Sequence, residues 1–183
     1  VADPRTAGTM SGGRAFRRWP THDRSAHRNA QTTAWIQMSG ELTIRTLEDT
    51  DLSGVIELDE KILGDYRPEV WEDRIAYYQR RDPEAPVVAI ADGRLVGFML
   101  GEVRSGEFGL EEPTGWIEVM GCAPDLRGQA VGRQLAERML DHFRGKGATT
   151  VRTLVDEAEE GIAGFFTALG FEPAGLRPFV KQL

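Results

Sequence analysis

The apolar residues of this chain follow two spacings, one typical of helices and one typical of strands. Apolar positions at i, i+3, i+4 and i+7 indicate the buried face of a helix, whereas short alternating or continuous apolar runs indicate strands. Four helices are predicted, with the markers Leu52, Val55 and Ile56; Trp71, Ile75 and Tyr78; Val131, Leu135, Met139 and Phe143; and Ile162, Phe165, Phe166 and Leu169. Strands are predicted at residues 42–45, 87–91, 94–100, 116–122 and 149–155, with two short ones around Phe171 and around Phe179 and Val180.

Turn and capping residues separate these elements. Asp92-Gly93 between two apolar runs predicts a tight hairpin, because both positions tolerate positive φ. Pro68 suits the first turn of a helix predicted over 68–79, and Gly170 ends the last helix. The order of the elements is β-α-α-β-β-β-α-β-α-β-β, which predicts a mixed α/β sheet covered by helices.

The charge of the chain is unevenly distributed. The chain has 183 residues, the length of one ordinary domain, and a net charge of −7. Residues 1–40 hold six arginines and two acidic residues, so they carry +4 and the remaining 143 residues carry −11. Nucleic-acid binding needs clustered Lys and Arg, so this acidic body is a poor polyanion binder and suits a cationic partner. No apolar run approaches the roughly 18 residues of a membrane span.

Residues 1–40 are rich in Gly, Ser, Thr, Arg and Ala and show neither spacing. We expect a disordered or misassigned basic leader, because this segment cannot bury enough apolar surface to offset its ordering entropy. An organelle transit peptide and a basic arm that contacts nucleic acid remain alternatives, whereas the apolar stretch of a secretory signal is not found in it. The single cysteine, Cys122, excludes an internal disulfide and favours a reducing, cytoplasmic compartment.

The turn after the strand at 116–122 combines small residues with two arginines. It reads Ala123-Pro124-Asp125-Leu126 and then Arg127-Gly128-Gln129-Ala130-Val131-Gly132-Arg133. Small residues let the backbone approach a ligand closely, and the helix that begins here directs unpaired N–H groups at the loop. An anion site is therefore predicted, with the arginines as further partners for phosphate. The spacing matches neither a Walker loop nor a dinucleotide fingerprint, and a plain strand-to-helix turn is the alternative.

The same segment resembles motif A of the GCN5-related N-acetyltransferases. The matching residues are Cys122-Ala123-Pro124, which end the strand, and the run from Arg127 to Gly132. Downstream, Phe165-Phe166-Thr167-Ala168-Leu169-Gly170-Phe171 is similar to the family's closing helix and Leu-Gly-Phe signature. The resemblance extends from Leu42 to the C-terminus. It implies an acetyltransferase domain over 41–183, with a central twisted sheet flanked by helices and splayed between the fourth and fifth strands.

The resemblance also implies how acetyl-coenzyme A is bound. Main-chain groups of Met120 and Cys122 would pair with its pantetheine arm. Backbone N–H groups would cradle its pyrophosphate, and the residues concerned are Arg127, Gly128, Gln129, Ala130, Val131, Gly132 and Arg133. The thioester would lie where the two strands part, and no metal is implied.

Three residues depart from the family's pattern. Ala130 stands where the family has its first glycine, and its methyl group would strain the loop if this position needs positive φ. Phe166 stands where many members carry a tyrosine that protonates the leaving thiolate, and a phenyl ring cannot donate a proton. Glu159 stands near the position of an asparagine that often touches the cofactor. The missing tyrosine weakens the expected mechanism more than the reaction class, since a coenzyme A thiolate is a tolerable leaving group.

Glu118 is the candidate general base. Alternation along the strand predicts Trp116, Glu118, Met120 and Cys122 on one face and Ile117, Val119 and Gly121 on the other. A carboxylate within so apolar a strand needs a compensating partner or a function. Several members of the family use a carboxylate at this position to deprotonate the amine, which must lose a proton before it attacks. The alternative is a glutamate on a wet cleft wall, paired with a neighbouring Arg or Lys.

Other residues carry weaker hypotheses. We expect Cys122 to be a small buried hydrophobe and His142 to be exposed or capping rather than a ligand. Tyr66 or Tyr78 could replace the missing acid. An acidic rim that favours a cationic amine is one interpretation of Glu107, Glu111 and Glu112, and a solvated loop is the other.

The sequence therefore predicts the transfer of an acetyl group from acetyl-coenzyme A to a primary amine by direct attack, since no covalent nucleophile is supported. A coenzyme A-binding module without catalysis is the alternative, and nucleic-acid binding through the arginine-rich leader is a third hypothesis. The acceptor stays open among polyamines, amino acids, antibiotics and protein amines. Members of the family often dimerise, so a homodimer is open as well.

Overall fold

The computed structural model describes residues 41–109, 111–175 and 177–183, so the predicted leader at 1–40 lies outside the described residues. Within them the chain forms five strands and four α-helices. The elements are β1 (Thr43–Thr46), α1 (Leu52–Leu63), α2 (Pro68–Arg81), β2 (Val87–Ala91), β3 (Arg94–Arg104), β4 (Thr114–Cys122), α3 (Val131–Gly145), β5 (Thr150–Thr153) and α4 (Glu160–Ala168). All nine were predicted, and the mixed α/β class is confirmed.

The strands form one sheet in the order β1-β2-β3-β4-β5. The first three pairings are antiparallel, and β4 with β5 is parallel, since α3 connects them as a crossover. The β2–β3 hairpin turns at Asp92 and Gly93, whose φ angles of 49° and 71° agree with the predicted tight turn.

The splay between β4 and β5 follows from their unequal lengths. Their pairing begins at Thr114 with Thr150 and ends at Ile117 with Thr153. Beyond Ile117, β4 continues for five residues to Cys122 with β3 on one edge and without β5 on the other. The sheet therefore opens at this point, as the family resemblance implied.

Helices cover both faces of the sheet. Gly97 and Gly101 of β3 face α3, where a Cβ on Gly97 would lie 2.9 Å from Leu135. Phe98, the next residue, points to the opposite face and packs edge-on against Trp71 of α2 with ring centroids 4.9 Å apart. Glycine thus lets α3 approach the strand closely. The core lies on both faces of the sheet, between the strands and the helices that cover them.

The two short C-terminal strands predicted around Phe171 and around Phe179 and Val180 are wrong. Residues 171–175 and 177–183 carry no strand, and Phe179 and Val180 are 93% and 95% exposed. Apolar and β-branched residues favour a strand only where a neighbouring strand pairs with them, and none of the described strands pairs with these segments. In contrast, β3 extends four residues beyond its predicted end, because the buried Glu102 carboxylate is paired with Arg104 and the strand continues through it. In the described part of the chain, every helix is too short or too polar to cross a bilayer.

Candidate active site

A β-bulge places Glu118 outside the regular pairing of β4. Leu100 pairs with Val119, and the next residue of β3, Gly101, pairs with Ile117, so Glu118 is the extra residue. A bulge interrupts the alternation of a strand. The prediction that Glu118 and Met120 share a face is therefore wrong. The Glu118 carboxylate meets Tyr78 of α2, whereas the Met120 side chain lies beside Gly132 of α3, on the opposite face.

The loop before α3 presents main-chain donors. The first helical hydrogen bond here runs from Gln134 N–H to Ala130 O at 3.0 Å. The amides of Val131, Gly132 and Arg133 precede it, and amides of a first turn have no acceptor within their own helix. Ala130 adopts φ 65°, the left-handed conformation that the departure from glycine was expected to strain. A glycine here would carry no Cβ penalty.

A cleft of about 770 Å³ opens between the free end of β4, the start of α3, and α4. Eight of the nine residues predicted to bind the cofactor line it, namely Met120, Cys122, Arg127, Gly128, Ala130, Val131, Gly132 and Arg133. Gln129 is not among the described residues on its wall, and its N–H donates to Leu126 O at 3.2 Å. Glu159, at the N-terminal end of α4, also lines the cleft.

Phe166 points away from this cleft. It is buried, with its ring 5.1 Å from Phe165 and 5.1 Å from Phe171, centroid to centroid. Phe165, rather than Phe166, reaches the wall of the cleft. The position of the family's tyrosine therefore belongs to the core in this chain.

A second cavity of about 370 Å³ lies on the α2 side of β4. Its wall consists of Val70, Asp73, Arg74, Tyr77, Tyr78 and Glu118. The first four of these stand at i, i+3, i+4 and i+7 on α2, so they form a stripe next to the buried face of that helix. This spacing is the signal that could have revealed them. The same short stretch of β4 thus borders both cavities, with Met120 and Cys122 on the cleft and Glu118 on the second cavity.

The predicted acidic rim is not found at either cavity among the described residues. Glu107 lies 3.5 Å from Arg104, and Glu112 accepts a hydrogen bond from Thr149 Oγ1 at 3.4 Å. The carboxylates that do line the second cavity are Glu118 and Asp73. Sequence reasoning missed Asp73, although its position on this stripe of α2 is the signal that could have revealed it.

The Glu118 carboxylate is held at both oxygens. Arg104 Nη2 donates to Oε1, the Tyr78 hydroxyl donates to Oε2, and 33% of the Glu118 side chain remains exposed. Burial, together with donation to this carboxylate, raises the pKa of the Tyr78 hydroxyl, which therefore stays protonated at neutral pH. Tyr66, the other candidate acid, is 65% exposed and lies outside both walls as far as the described residues show. The arginine partner is the one that the alternative interpretation of Glu118 expected.

Glu102 is buried beside this pair. Its carboxylate accepts hydrogen bonds from Tyr77 Oη at 2.9 Å, Arg81 Nε at 2.5 Å and Arg104 Nε at 2.5 Å. Burial alone would raise the pKa of Glu102, but the donors prevail and hold it below its usual range. For Arg104, burial alone would lower the pKa, and the two carboxylates raise it instead.

Two further predictions concern isolated side chains. Cys122 is partly buried, and burial raises the pKa of its thiol, in agreement with an unreactive residue. His142 was expected to be exposed or capping. The structure shows it buried, with Nε2 2.8 Å from Asp82 Oδ2. The ends of α2 and α3 pack together there, which the sequence spacing does not reveal. Within the residues that the structure describes, no three His, Cys, Asp or Glu side chains are grouped to hold a metal ion.

Comparison with known proteins agrees with this architecture. A mycothiol acetyltransferase from Thermobifida fusca is 38% identical over 95 residues, which are 50% of this chain and 29% of that protein. An acetyltransferase from Pectobacterium atrosepticum is 26% identical over 145 residues, 78% of this chain and 96% of that protein. The chain thus spans less than a third of the mycothiol relative's length.

Solved structures show the same fold. The aminoglycoside N-acetyltransferase AAC(6')-Iy in complex with CoA superimposes with a TM-score of 0.69 at 20% identity, over 78% of this chain and 95% of that one. The model of the acetyltransferase (GNAT) family matches residues 52–171, well over half of the chain. The chain therefore belongs to the GNAT acetyltransferase family, and its splayed sheet and the loop before α3 agree with this match.

Proposed function

We propose that this chain transfers an acetyl group from acetyl-coenzyme A to a primary amine by direct attack. One observation carries the proposal: a single stretch of β4 separates a large cleft rich in main-chain donors from a smaller cavity with two carboxylates. A thioester in the splay and an amine in the second cavity would meet across this strand. The relatives named mycothiol acetyltransferase and the neighbour named aminoglycoside N-acetyltransferase support acetyl transfer to a small molecule.

The cleft fits acetyl-coenzyme A by its donor set. First-turn amides of α3 and the helix dipole attract a diphosphate, and the exposed side chains of Arg127 and Arg133 add positive charge. Beyond Ile117, main-chain groups on the outer edge of β4 lack β5 as a partner and are open to the pantetheine arm near Met120 and Cys122. An N–H on this edge can also stabilise negative charge that develops on the thioester oxygen.

The second cavity fits a cationic acceptor. Asp73 and Glu118 attract an ammonium group, and the rings of Tyr77 and Tyr78 provide a surface for its carbon atoms. Glu118 would accept the proton that the ammonium must lose, directly or through water. The free amine then attacks the thioester carbonyl, the C–N bond forms, and the C–S bond breaks to release the coenzyme A thiolate.

No tyrosine is assigned as the acid that protonates this thiolate. Phe166 has no proton to donate, and the Tyr78 hydroxyl is engaged with Glu118 on the opposite face of the sheet. The thiolate of coenzyme A is a tolerable leaving group, so the reaction proceeds without such a donor. The single cysteine cannot form an internal disulfide, which supports a reducing, cytoplasmic compartment as part of this proposal.

Phe166 also favours the second candidate, a module that binds coenzyme A without catalysis. Calorimetric titration with acetyl-coenzyme A tests the feature that both candidates share. Arg127→Ala combined with Arg133→Ala is expected to weaken binding about tenfold or more, because two charged partners of the phosphates are lost. The matched control is Arg138→Ala, an exposed arginine of the same helix outside the cleft. Absence of binding by the unmodified chain would refute both candidates.

Thiol release in the presence of a panel of amines separates the two candidates. The acetyltransferase releases free coenzyme A in proportion to acetylated amine, which mass spectrometry identifies. If the chain binds acetyl-coenzyme A but no cationic amine in the panel leads to thiol release, the non-catalytic module is the remaining candidate. A panel of diamines, amino sugars and peptides covers the acceptors that an acidic cavity admits.

A further inference from the structure

Glu102 is a buried carboxylate that the proposed reaction does not use. It lies on β3 opposite Trp116 of β4, and 2% of its side chain is exposed. A buried carboxylate is costly unless donors surround it, and donors from two elements do so here. Tyr77 and Arg81 approach from α2, and Arg104 approaches from β3 itself.

The Arg104 guanidinium connects this buried carboxylate with the candidate base. Its Nε donates to Glu102 and its Nη2 donates to Glu118. Because a guanidinium is planar and its donors have fixed directions, the bond to Glu102 determines where Nη2 points. The side chain of Arg104 is 20% exposed, so little room remains for other conformations.

We propose that Glu102 is a positioning residue that, through Arg104, orients the Glu118 carboxylate at the second cavity and balances the positive charge that Arg104 brings to it. An arginine alone would hold Glu118 in place but would also stabilise its charged form and so weaken it as a proton acceptor. Glu102 compensates that charge from the far side of the guanidinium. The catalytic consequence rests on the proposed role of Glu118, whereas the link between the three side chains does not.

Other charged and titratable groups also surround Glu118. Those from α2 are the Tyr78 hydroxyl, which donates to it, and Asp73, Arg74 and Tyr77, which line the same cavity, with Arg81 paired to Glu102. Glu107 approaches Arg104 Nη1 at 3.5 Å from the connection after β3, with 38% of its side chain exposed. Because Glu107 touches the same arginine from the solvent side, it provides a matched control for Glu102.

The test measures the protonation midpoint of Glu118 by ¹³C NMR of its side-chain carboxyl, in the full chain and without turnover. Glu102→Gln keeps the shape and removes the compensating charge, so the midpoint should fall by roughly half a pH unit or more. Arg104→Gln removes the positive charge and should raise it. Glu107→Gln should leave it unchanged, because solvent screens an exposed carboxylate. The acidic limb of the kcat/KM profile should move with the midpoint in each variant.

Equal midpoints in the unmodified chain and in Glu102→Gln overturn the proposal, as does an equal shift in Glu107→Gln. If Glu102→Gln does not fold, Arg104→Gln decides the question, since Glu102 keeps Tyr77 and Arg81 as donors in it. An unchanged midpoint in Arg104→Gln then overturns the proposal. Shifted midpoints in a chain that transfers no acetyl group would refute the proposed function and leave the positioning network standing.

Discussion

The two cavities that meet at β4 are built by different means. The large cleft is formed by two stretches of the chain, 120–133 and 158–169, and many of its lining residues are small, among them Gly128, Ala130 and Gly132. The second cavity is formed by side chains from separate elements, and its hydrogen bonds join residues far apart in sequence. Tyr78 and Glu118 are 40 positions apart, and Tyr77 and Glu102 are 25 positions apart.

The two cavities therefore depend on different features of the chain. Main-chain donors require a particular backbone path and free space, and they tolerate many side chains that respect both. A charged side-chain network requires each member, because the loss of one leaves another buried and unpaired. Substitutions should therefore affect the large cleft through volume and backbone conformation, and the second cavity through charge.

The largest effect is expected from Glu118→Gln. Loss of the base should lower kcat about 100-fold or more at neutral pH, with partial recovery at high pH, where the amine is already deprotonated. Affinity for acetyl-coenzyme A should stay unchanged, because the cleft lies on the other side of β4. Rate profiles from pH 6 to 10 measure this. The control is Glu112→Gln, which changes an exposed carboxylate outside both cavities. If the pH profile of Glu118→Gln matches that of the unmodified chain, Glu118 is not the base.

Volume in the large cleft should have the next largest effect. A Cβ on Gly132 would lie 3.2 Å from the Phe165 ring, and a longer side chain would extend into the cleft. We expect Gly132→Leu to weaken acetyl-coenzyme A binding about tenfold or more by calorimetry. Gly145→Leu, on the same helix with nothing within 4 Å of its Cβ position, should bind normally. Equal affinities for the two variants would contradict the position of the cofactor.

Backbone strain in the loop should give a smaller, stabilising effect. Ala130→Gly relieves a left-handed conformation and should raise the free energy of unfolding by about 0.5–1 kcal/mol, after allowance for the greater freedom of glycine in the unfolded chain. Thermal and urea denaturation measure it. Ala76→Gly, in the regular part of α2, should have the opposite sign at about 0.5–1 kcal/mol. A destabilised Ala130→Gly would show that the strain is not present.

The smallest effect is expected far from both cavities, where Asp82 joins the ends of α2 and α3. Burial would raise the pKa of Asp82, but His142 and Lys146 prevail and lower it below its usual value of 3.8. A lowered folded pKa stabilises the fold above that value, and the stabilisation is lost as the pH falls through the folded pKa. Asp82→Asn should therefore unfold more readily than the unmodified chain at pH 6, with the difference shrinking towards pH 2. Urea denaturation across this range checks it, and activity should not change.

Local signals were sufficient for most of the fold. Each helix and the β2–β3 hairpin were predicted from residues within one segment, since capping, turn formation and amphipathic spacing act over a few positions. The errors occur where contacts with distant residues determine whether a strand forms. The C-terminal strands were wrongly predicted because none of the five described strands pairs with those residues. Strand β3 continues through Glu102 because distant donors satisfy that carboxylate.

The candidate site shows the same difference between locally specified parts and parts that depend on long-range contacts. The loop from Arg127 to Arg133 was predicted as a unit, and the structure brings six of its seven residues to one cleft wall. Arg104, Glu102 and Asp73 were not predicted. A salt bridge between β3 and β4 depends on sheet register, and register at Glu118 depends on a bulge that alternation does not reveal.

Local sequence features specify the order of elements, the tight bend before α3 and the presence of a lone carboxylate in an apolar strand. These follow from short-range sterics and from the free energy of burying apolar faces, which adjacent residues already specify. Contacts between distant segments set the face on which Glu118 lies, the arginine and tyrosine that hold it, and the second cavity beside it. Those outcomes depend on how strands align and helices pack, because charged groups brought together over tens of residues interact through space rather than along the chain.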